Sequence, residues 1–325
     1  MSSNKSLLVE IAKQYYEEGK TQDEIAKRFF MSRAMVSRKL AEARKQGVVN
    51  IFIDSTGDTM SELERKIFST FNLKGICVVP VPDNDEDLVV QLTARAGAYY
   101  LGQFIDSGDR IGVGWGWTLY EMSTYFPQLP FGVSLVCQLT GSVDNAMTRG
   151  YANEIIANLY RKVSAREAYS FPCPVMVDNT AISNALRNDA KVNKVLELGK
   201  SCNKIFVNIA LPERASCLYQ AGYINDEDIE NLKNKGAIGS ICCRFFDENG
   251  KVCDSSIDDR TMGITIDEIS QADCVIACIT GKRKSSALYY ALRAKMIDIL
   301  VVDSITALAV AELIESNLAH KTKSL

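Results

Sequence analysis

Histidine is almost absent from this chain. Its 325 residues include a single histidine, His320, and its ten cysteines never form a CxxC pair. The two side chains that dominate zinc sites therefore do not occur at ligand spacing. No nucleophile stands beside a base in a motif that would support catalysis. The composition argues against a zinc protein and against a histidine-dependent enzyme.

Long apolar runs are missing as well. No stretch approaches the ~20 apolar residues that a membrane-spanning helix needs, and the N-terminus is polar and amphipathic, unlike a signal peptide. Several cysteines, such as Cys274 and Cys278, lie in apolar runs where cysteine behaves as a small hydrophobic residue. No repeat or low-complexity segment stands out. We therefore expect a soluble, cytoplasmic protein with reduced thiols.

Charge is distributed unevenly along the chain. Residues 1–56 contain ten Lys or Arg against seven Asp or Glu, net +3, whereas the remainder contains 27 against 33, net -6. The length predicts two or three domains. Because an acidic surface repels nucleic acid, any contact with DNA is expected in the N-terminal residues alone.

Residues 21–46 have the pattern of two short helices joined by a tight turn. Thr21 and Glu24 have capping-box spacing, Ser32 is suited to cap the second helix, and Gly47 is suited to end it. A supporting helix is predicted over residues 5–18. The turn has Phe30 where glycine is common. Together these features predict a three-helix, helix-turn-helix DNA-binding unit.

The second of these helices has two distinct faces. Val36, Leu40 and Ala43 form an apolar face, and the opposite face is small or basic. Arg38 is suited to a forked contact with guanine, and the basic residues nearer the helix ends to phosphates. An ordinary solvated helix is the alternative, but capping, turn length, apolar pattern and charge together favour DNA. The predicted DNA-binding residues are Thr21, Gln22, Ser32, Arg33, Ala34, Ser37, Arg38, Arg44 and Lys45.

The rest of the chain alternates between strand-like and helical segments. A strand-like run over residues 48–53 and a turn over residues 54–58 predict a domain boundary between residues 56 and 57. A helix over residues 59–71 is predicted to begin with a Thr59–Glu62 capping box. Further helices are predicted over residues 86–105, from 118, and over 151–163, 284–295 and 306–316. The strand-like runs are GICVVPV, RIGVGWG, VSLVCQLT, KIFVNIA, GSICCRFFD, CVIACIT and DILVVD.

This alternation predicts an α/β domain with a mostly parallel sheet covered by helices on both faces. In such sheets ligands lie beyond the carboxyl ends of the strands. Residues 112–118, GVGWGWT, form a glycine-rich loop that could hold an anion at a helix N-terminus. The loop lacks the dinucleotide fingerprint. A purely structural turn is the alternative, because Thr118 and Glu121 also have capping-box spacing.

A second loop, residues 280–286 with the sequence TGKRKSS, places three cations at a helix N-terminus. This arrangement is unfavourable unless an anion binds there, and a solvated basic loop is the alternative. Residues 138–142 and the acidic turn at residues 258–260 add hydroxyl, amide and carboxylate groups suited to a polyol. Together these loops predict a small phosphorylated polyol as ligand.

At these residues the chain resembles the SorC family of bacterial transcription regulators, which control sorbitol, central glycolytic, deoxyribonucleoside and autoinducer-2 operons. The resemblance implies an effector domain over residues 57–325, with a fold similar to sugar-phosphate isomerases and CoA transferases. It also implies a phosphorylated sugar as effector, no cofactor, and a dimer of dimers. The matching segments are QYYEEGKTQDEIAKRFFMSRAMVSRKL, GVGWGWTL, LTGSV, AGYIN, KGAIGSICCRFFDENG, DDRTMGI and ALRAKMIDILVVDSITALAVAEL.

The effector site is predicted from the loops and this resemblance together, and Lys284 is implied to meet the phosphate. The predicted residues are Gly114, Trp115, Gly116, Trp117, Thr118, Thr140, Gly141, Asp259, Gly281 and Lys284. Two departures from the family pattern bear on the choice of sugar. Ser240 stands where the family often has aspartate. The family also often has a Gly-Gly pair before the acidic and lysine positions of the last loop, where this chain has Thr280-Gly281-Lys282-Arg283-Lys284. The extra positive charge favours a more highly charged effector.

The mechanism implied is linkage, in which the sugar binds one arrangement of the effector domains more tightly and so changes DNA affinity. Repression, activation, a dimer and a tetramer are all compatible with the sequence. An isomerase-like enzyme with an added DNA-binding domain is the alternative, using Asp258, Asp259 and Lys284 as acid, base or Schiff-base groups. A DNA-binding scaffold without a ligand is the third possibility.

Overall fold

The computed structural model describes residues 2–45, 48–49, 60–82, 85–143 and 151–322. The chain divides into two compact units, Met1–Asp54 and Ser55–Leu325. The predicted domain boundary and Gly47 lie outside the described residues, as does most of the strand-like run over residues 48–53.

The first unit consists of three helices, α1 Ser2–Tyr16, α2 Gln22–Arg28 and α3 Arg33–Lys45. Their apolar faces meet in a small core that contains Ile11, Ile25, Val36 and Leu40. The predicted three-helix arrangement is confirmed. Tyr16, at the end of α1, is exposed.

The second unit is built on a seven-stranded sheet in which every pair of neighbouring strands is parallel. The strands of the described residues are β1 Gly75–Val79, β2 Arg110–Val113, β3 Leu135–Gln138, β4 Glu167–Tyr169, β5 Lys204–Val207, β6 Gly239–Ile241, β7 Arg244–Phe246, β8 Cys274–Ile279 and β9 Ile299–Asp303. The sheet order is β1-β9-β8-β5-β2-β3-β4, and β6 and β7 form a separate two-stranded sheet. The predicted α/β fold with a parallel sheet is confirmed.

Both faces of the sheet are buried. Along β9, Leu300 and Val302 belong to one core cluster, whereas Ile299 and Val301 belong to another. Successive side chains of a strand point to opposite faces, so the two clusters lie on opposite sides of the sheet. This two-sided burial explains why the strands appear in the sequence as continuous apolar runs.

Helices cover both faces. Those of the second unit are α4 Glu62–Phe71, α5 Glu86–Gly102, α6 Trp117–Tyr125, α7 Ala152–Lys162, α8 Thr180–Arg187, α9 Ala190–Lys200, α10 Cys217–Gln220, α11 Asp226–Asn234, α12 Ser255–Asp258, α13 Ile266–Ser270, α14 Ser285–Arg293 and α15 Ser304–Thr322. A single turn of 3-10 helix, Lys282–Lys284, precedes α14. The sequence did not predict β4 or the helices α8 to α13, whose short apolar segments are interrupted by polar residues.

One predicted strand was wrong. GSICCRFFD is not a strand of the parallel sheet but a separate antiparallel hairpin, β6–β7. Cys242 and Cys243 form its two-residue turn, with φ angles of 49° and 64°. Left-handed backbone at both central positions is the turn that matches hairpin twist, usually made by Asn-Gly. This turn could not be recognised in the sequence, because cysteine is not a residue type that indicates a turn.

Ser61 caps α4, and its hydroxyl accepts a hydrogen bond from the Glu64 amide. Thr59, the predicted cap, lies outside the described residues. The Glu64 carboxylate in turn accepts from the Ser61 amide at 2.9 Å, and its other oxygen accepts from the Val78 amide on β1 at 2.9 Å. Glu64 therefore completes the helix cap and also accepts a hydrogen bond from a backbone amide of β1, an edge strand of the sheet.

We expect Glu64→Ala to lower the free energy of unfolding by about 2–4 kcal/mol, because it removes part of the capping box and leaves the Ser61 and Val78 amides without their acceptor. Urea denaturation of the full chain measures this loss. Glu62→Ala, on the exposed first turn of the same helix, is the matched control and should change stability little. Equal destabilisation by both substitutions would contradict the role assigned to Glu64.

Candidate functional site

A cavity of about 450 Å³ opens at the carboxyl ends of the strands in the second unit. Its lining includes the loops that follow β2, β3, β5, β8 and β9. From β2 the chain continues outward to β3 and β4 and then returns to β5 on the other side of β2. The cavity therefore lies at the topological switch point of the sheet, where open α/β folds bind ligands.

The glycine-rich loop after β2 forms one wall. Gly116 has φ 136°, and a Cβ atom at this position would lie 2.6 Å from the Asn208 side chain, so only glycine fits. The Trp115 indole donates to the Gly141 carbonyl at 2.9 Å. Thr118 does not cap α6, although its spacing with Glu121 made a purely structural capping box the alternative. Its hydroxyl instead bonds the Thr280 hydroxyl at 3.2 Å, tying this loop to the one after β8.

The basic loop after β8 forms the opposite wall, and a hydrogen bond to Asp303 fixes its first residues. This buried carboxylate accepts from the Gly281 amide at 3.0 Å and from the Thr306 hydroxyl at 2.6 Å. Arg283 forms an ion pair with Glu213 at 3.2 Å. The loop thus has a defined shape, with Lys282, Arg283 and Lys284 along the cavity.

Among the cations of this loop, Lys284 is the half-buried one, whereas Lys282 and Arg283 are exposed. It lines the cavity, and its ammonium makes no hydrogen bond or ion pair within the described ranges. Burial lowers its pKa, because the charged ammonium loses solvent; the neighbouring Arg283 lowers it further. The Thr140 hydroxyl, fully buried on the cavity wall, also has no partner among the described residues. Both groups are available to a ligand.

Three cysteines, Cys217, Cys242 and Cys243, add a weakly polar wall. Burial raises the pKa of the Cys242 thiol to about 12 and that of Cys243 well above its usual value. Because the thiolate is the nucleophile, these neutral thiols are poorly suited to covalent chemistry. They behave as small apolar side chains in the cavity.

Most of the predicted effector residues meet at this cavity. Those that line it are Trp115, Gly116, Trp117, Thr118, Thr140, Gly281 and Lys284. The other three predicted residues, Gly114, Gly141 and Asp259, do not line it. Gly141 packs its backbone against the Pro174 carbonyl, where no Cβ fits, and Asp259 is exposed beside α12.

Other lining residues escaped the sequence analysis. Asn208 directly follows β5, and Asp303 ends β9, so the strand-end rule that identified the first two loops also applies to both. Glu213, Cys217 and the Cys242–Cys243 turn carried no such signal, because they lie in segments whose structure the sequence did not reveal.

The predicted recognition helix presents its two faces as expected. Val36, Leu40 and Ala43 on α3 are buried. The exposed residues include Ser32, Arg33, Ala34, Ser37, Arg38 and Arg44, whereas the Lys45 side chain lies outside the described residues. Thr21 caps α2, its hydroxyl accepting from the Glu24 amide at 3.3 Å, and Gln22 is half-buried. Phe30 occupies the turn with φ 52°.

The described residues contain no group of three or more His, Cys, Asp or Glu side chains able to hold a metal ion. In the same residues, no helix combines the length and apolar character that crossing a membrane requires.

Residues 57–312 match the family model described as "Putative sugar-binding domain". The chain is 31% identical over 304 residues to the deoxyribonucleoside regulator of Bacillus subtilis (strain 168), covering 93% of this chain and 96% of that protein. The full-length sorbitol operon regulator SorC of Klebsiella pneumoniae has a TM-score of 0.74 at 26% identity, covering 94% of this chain and 98% of that one. The chain belongs to the SorC family of transcriptional regulators.

A further likeness is to a DeoR family transcriptional regulator from Listeria monocytogenes, with 29% identity, a TM-score of 0.70, and coverage of 77% of this chain and 98% of that one. These relatives are regulators and not enzymes, and the first two span nearly the whole chain. The chain is accordingly a SorC-family regulator with a sugar-binding domain, and the isomerase alternative has no support.

Proposed function

We propose that this SorC-family regulator binds operator DNA through α3 and that a phosphorylated sugar in the cavity sets its affinity for that DNA. The observation that carries the proposal is Lys284, a half-buried cation at the carboxyl edge of the sheet that forms no ion pair with any described residue. A phosphate beside it would supply the missing charge and would also favour the protonated amine.

The sugar part has a separate set of partners. Beyond the basic loop the cavity offers the unpartnered Thr140 hydroxyl, the Asn208 amide and the Ser240 side chain. Hydroxyl and amide groups can exchange hydrogen bonds with the alcohols of a polyol. Because its relatives include a deoxyribonucleoside regulator and a sorbitol operon regulator, phosphorylated pentoses and hexitols are the first compounds to test.

On the DNA side, Arg38 lies mid-way along the exposed face of α3, with Ala34 and Ser37 beside it. Small neighbours let the helix approach base edges, and arginine can donate two hydrogen bonds to guanine. Arg33, Arg44 and Lys45 are assigned to phosphates. Thr21, Gln22 and Ser32 lie at the N-termini of α2 and α3, where backbone amides also suit phosphate.

The protein acts in the cytoplasm as a homo-oligomer, as a dimer of dimers. A single recognition helix binds DNA weakly, and several copies joined in one assembly raise the affinity without any new contact. A sugar phosphate that prefers one arrangement of the effector domains then shifts DNA affinity by its differential affinity for the two arrangements.

A thermal-shift screen of the purified full chain tests the effector. Ribose 5-phosphate, 2-deoxyribose 5-phosphate and sorbitol 6-phosphate are compared with the same sugars without phosphate. We expect at least one phosphorylated compound to raise the Tm and its neutral counterpart to have no effect, because stabilisation follows ligand affinity. Neutral sugars that stabilise as well as their phosphates would refute the anion site.

Intrinsic fluorescence offers an independent readout of the same binding. The chain has two tryptophans, Trp115 and Trp117, and both line the cavity. A sugar phosphate that occupies the cavity should therefore change tryptophan emission without any label. Incubation of the same compounds with the protein, followed by analysis for new products, checks that binding occurs without turnover.

A further inference from the structure

Arg244 is the largest fully buried side chain in the described part of the protein, with 1% of its surface exposed. It does not line the cavity, and although it lies in one of the segments that resemble the SorC family, no role was predicted for it. A guanidinium stays charged at any pH a folded protein meets, so burial is tolerable only when its donors are satisfied. Its contacts therefore show which parts of the fold it joins.

All of its partners lie in one segment, residues 258–264. Nε donates to the Ile264 carbonyl at 2.6 Å, and Nη2 donates to the carbonyls of Gly263 at 2.9 Å and Thr261 at 3.2 Å. Nη1 donates to the Asp258 carbonyl at 3.0 Å and lies 2.6 Å from the carboxylate oxygen Oδ1 of the same residue. The acidic turn predicted to bind a polyol thus anchors this arginine.

Residues 258–264 in turn hold the Thr140 wall of the cavity. The Ile264 amide donates to the Leu139 carbonyl at 3.0 Å, and the Gly141 amide donates to the Met262 carbonyl at 2.9 Å. Thr140 is therefore fixed between two hydrogen bonds to this segment. Its unpartnered hydroxyl depends on the segment for its position in the cavity.

Arg244 itself belongs to a different wall. It is the first residue of β7 and directly follows the Cys242–Cys243 turn, which lines the cavity together with Ser240 of β6. Non-glycine residues in left-handed backbone cost free energy and persist only where the surroundings hold them. The guanidinium, its four carbonyl acceptors and its ion pair with Asp258 supply such a restraint on the turn.

We propose that Arg244 is a positioning residue that joins these two walls, and we name Arg244 with its acceptors in residues 258–264 the Arg244 clamp. The clamp sets the spacing between Thr140 on one side and Ser240 with the Cys242–Cys243 turn on the other. The inference rests on the proposed function, because this spacing matters for the sugar part of the effector. The anion subsite around Lys284 belongs to a separate loop that the clamp does not touch.

The test compares two probes bound to the full-length protein, followed by tryptophan fluorescence. Inorganic phosphate reports the Lys284 loop alone, and the three sugar phosphates of the screen report the whole cavity. We expect Arg244→Lys to weaken sugar-phosphate binding about tenfold, as expected for one misplaced polar contact, with phosphate binding unchanged. Operator binding without effector should also stay unchanged.

Arg187→Lys is the matched control. The Arg187 guanidinium donates to the same Thr261 carbonyl at 2.7 Å but extends from α8 and not from the hairpin. It should therefore leave both affinities as they are. Should Arg244→Lys fold poorly, Arg244→Met/Asp258→Leu replaces the buried ion pair by apolar side chains, a change that proteins often tolerate. It should show the same selective loss.

Equal weakening of phosphate and sugar phosphate, or no weakening of either, would overturn the clamp as a positioning device. A wild-type protein that binds none of the three sugar phosphates would overturn the proposed function, and the clamp with it. Wild-type binding that persists unchanged in both Arg244 variants would overturn the clamp alone.

Discussion

Lys284→Met is expected to abolish the response of operator binding to a sugar phosphate while leaving DNA affinity without effector unchanged. The substitution removes the half-buried cation assigned to the phosphate but keeps most of the apolar stem. Loss of a hydrogen bond to a charged group costs about 1.5–3 kcal/mol, which weakens effector binding roughly ten- to hundredfold. Titration of operator binding with increasing sugar phosphate measures the effect.

The control for this variant is Lys295→Gln, an exposed lysine just after the other end of α14. It removes the same charge at a distance from the cavity, so the effector response should survive. If Lys284→Met responded to sugar phosphate as the wild type does, the assignment of Lys284 to the phosphate would be wrong.

Lys284 should also give stability a characteristic pH dependence. Burial lowers its folded-state pKa below the ordinary value of 10.5, so the unfolded chain binds this proton more tightly than the folded one. The contribution of Lys284 to stability therefore rises with pH between the lowered pKa and 10.5 and is lost as the pH falls through the lowered pKa. Lys284→Met should raise the Tm of the effector-free protein at neutral pH.

In the effector-free protein, burial favours the neutral Lys284 amine, and a bound phosphate reverses this preference. It favours the protonated amine, so effector binding takes up a proton wherever the free amine is partly neutral. Affinity for sugar phosphate should then fall as the pH rises through the lowered pKa of Lys284. Calorimetric titrations in buffers of different ionisation enthalpy detect the proton uptake, and Lys284→Met should remove it.

Arg38→Ala is expected to lower affinity for the operator and to relax its sequence preference. Loss of a forked contact with guanine costs about 1–3 kcal/mol of discrimination against the wrong base. Affinity for unrelated DNA should change much less, since phosphate contacts supply most of that binding. Competition between operator and random DNA directly measures the ratio of the two affinities.

Arg44→Ala supplies the comparison, because Arg44 is exposed near the C-terminal end of the same helix and is assigned to a phosphate. Its loss should weaken binding to all sequences alike. It should also reduce the slope of log affinity against log salt concentration by about one, as expected for one lost phosphate contact. If the two variants lost specificity equally, the division of α3 into base-reading and phosphate-binding positions would be incorrect.

Local patterns explain how far the sequence could predict the fold. The apolar runs of β8 and β9 are buried on both faces, so each was recognisable from its own residues, and the parallel sheet followed from their alternation with helices. The hairpin β6–β7 was misread because Cys242 and Cys243 adopt a turn conformation that their side chains do not favour. Tertiary contacts around Arg244 override the local preference there.

The candidate site divides in the same way. Gly116 and Lys284 were found because each follows a strand and opens a helix, a relation visible in the sequence. Asp259 also carries a carboxylate suited to a polyol, but its side chain is exposed to solvent. The carbonyl of the preceding residue, Asp258, accepts a hydrogen bond from Arg244. Chemistry and spacing cannot distinguish a carboxylate that lines a cavity from one that lies next to a structural anchor.

By itself, the sequence determined the three-helix unit with its basic face, the parallel α/β domain, and the two loops that carry glycine and cationic residues. Each depends on interactions within a few residues, namely periodic burial, capping and charge at a helix end. Only the tertiary structure decided that Thr118 pairs with Thr280, that Asp303 holds the basic loop, and that Arg244 joins two walls of the cavity. Those contacts link residues far apart in the chain, and their free energy depends on burial that no local pattern records.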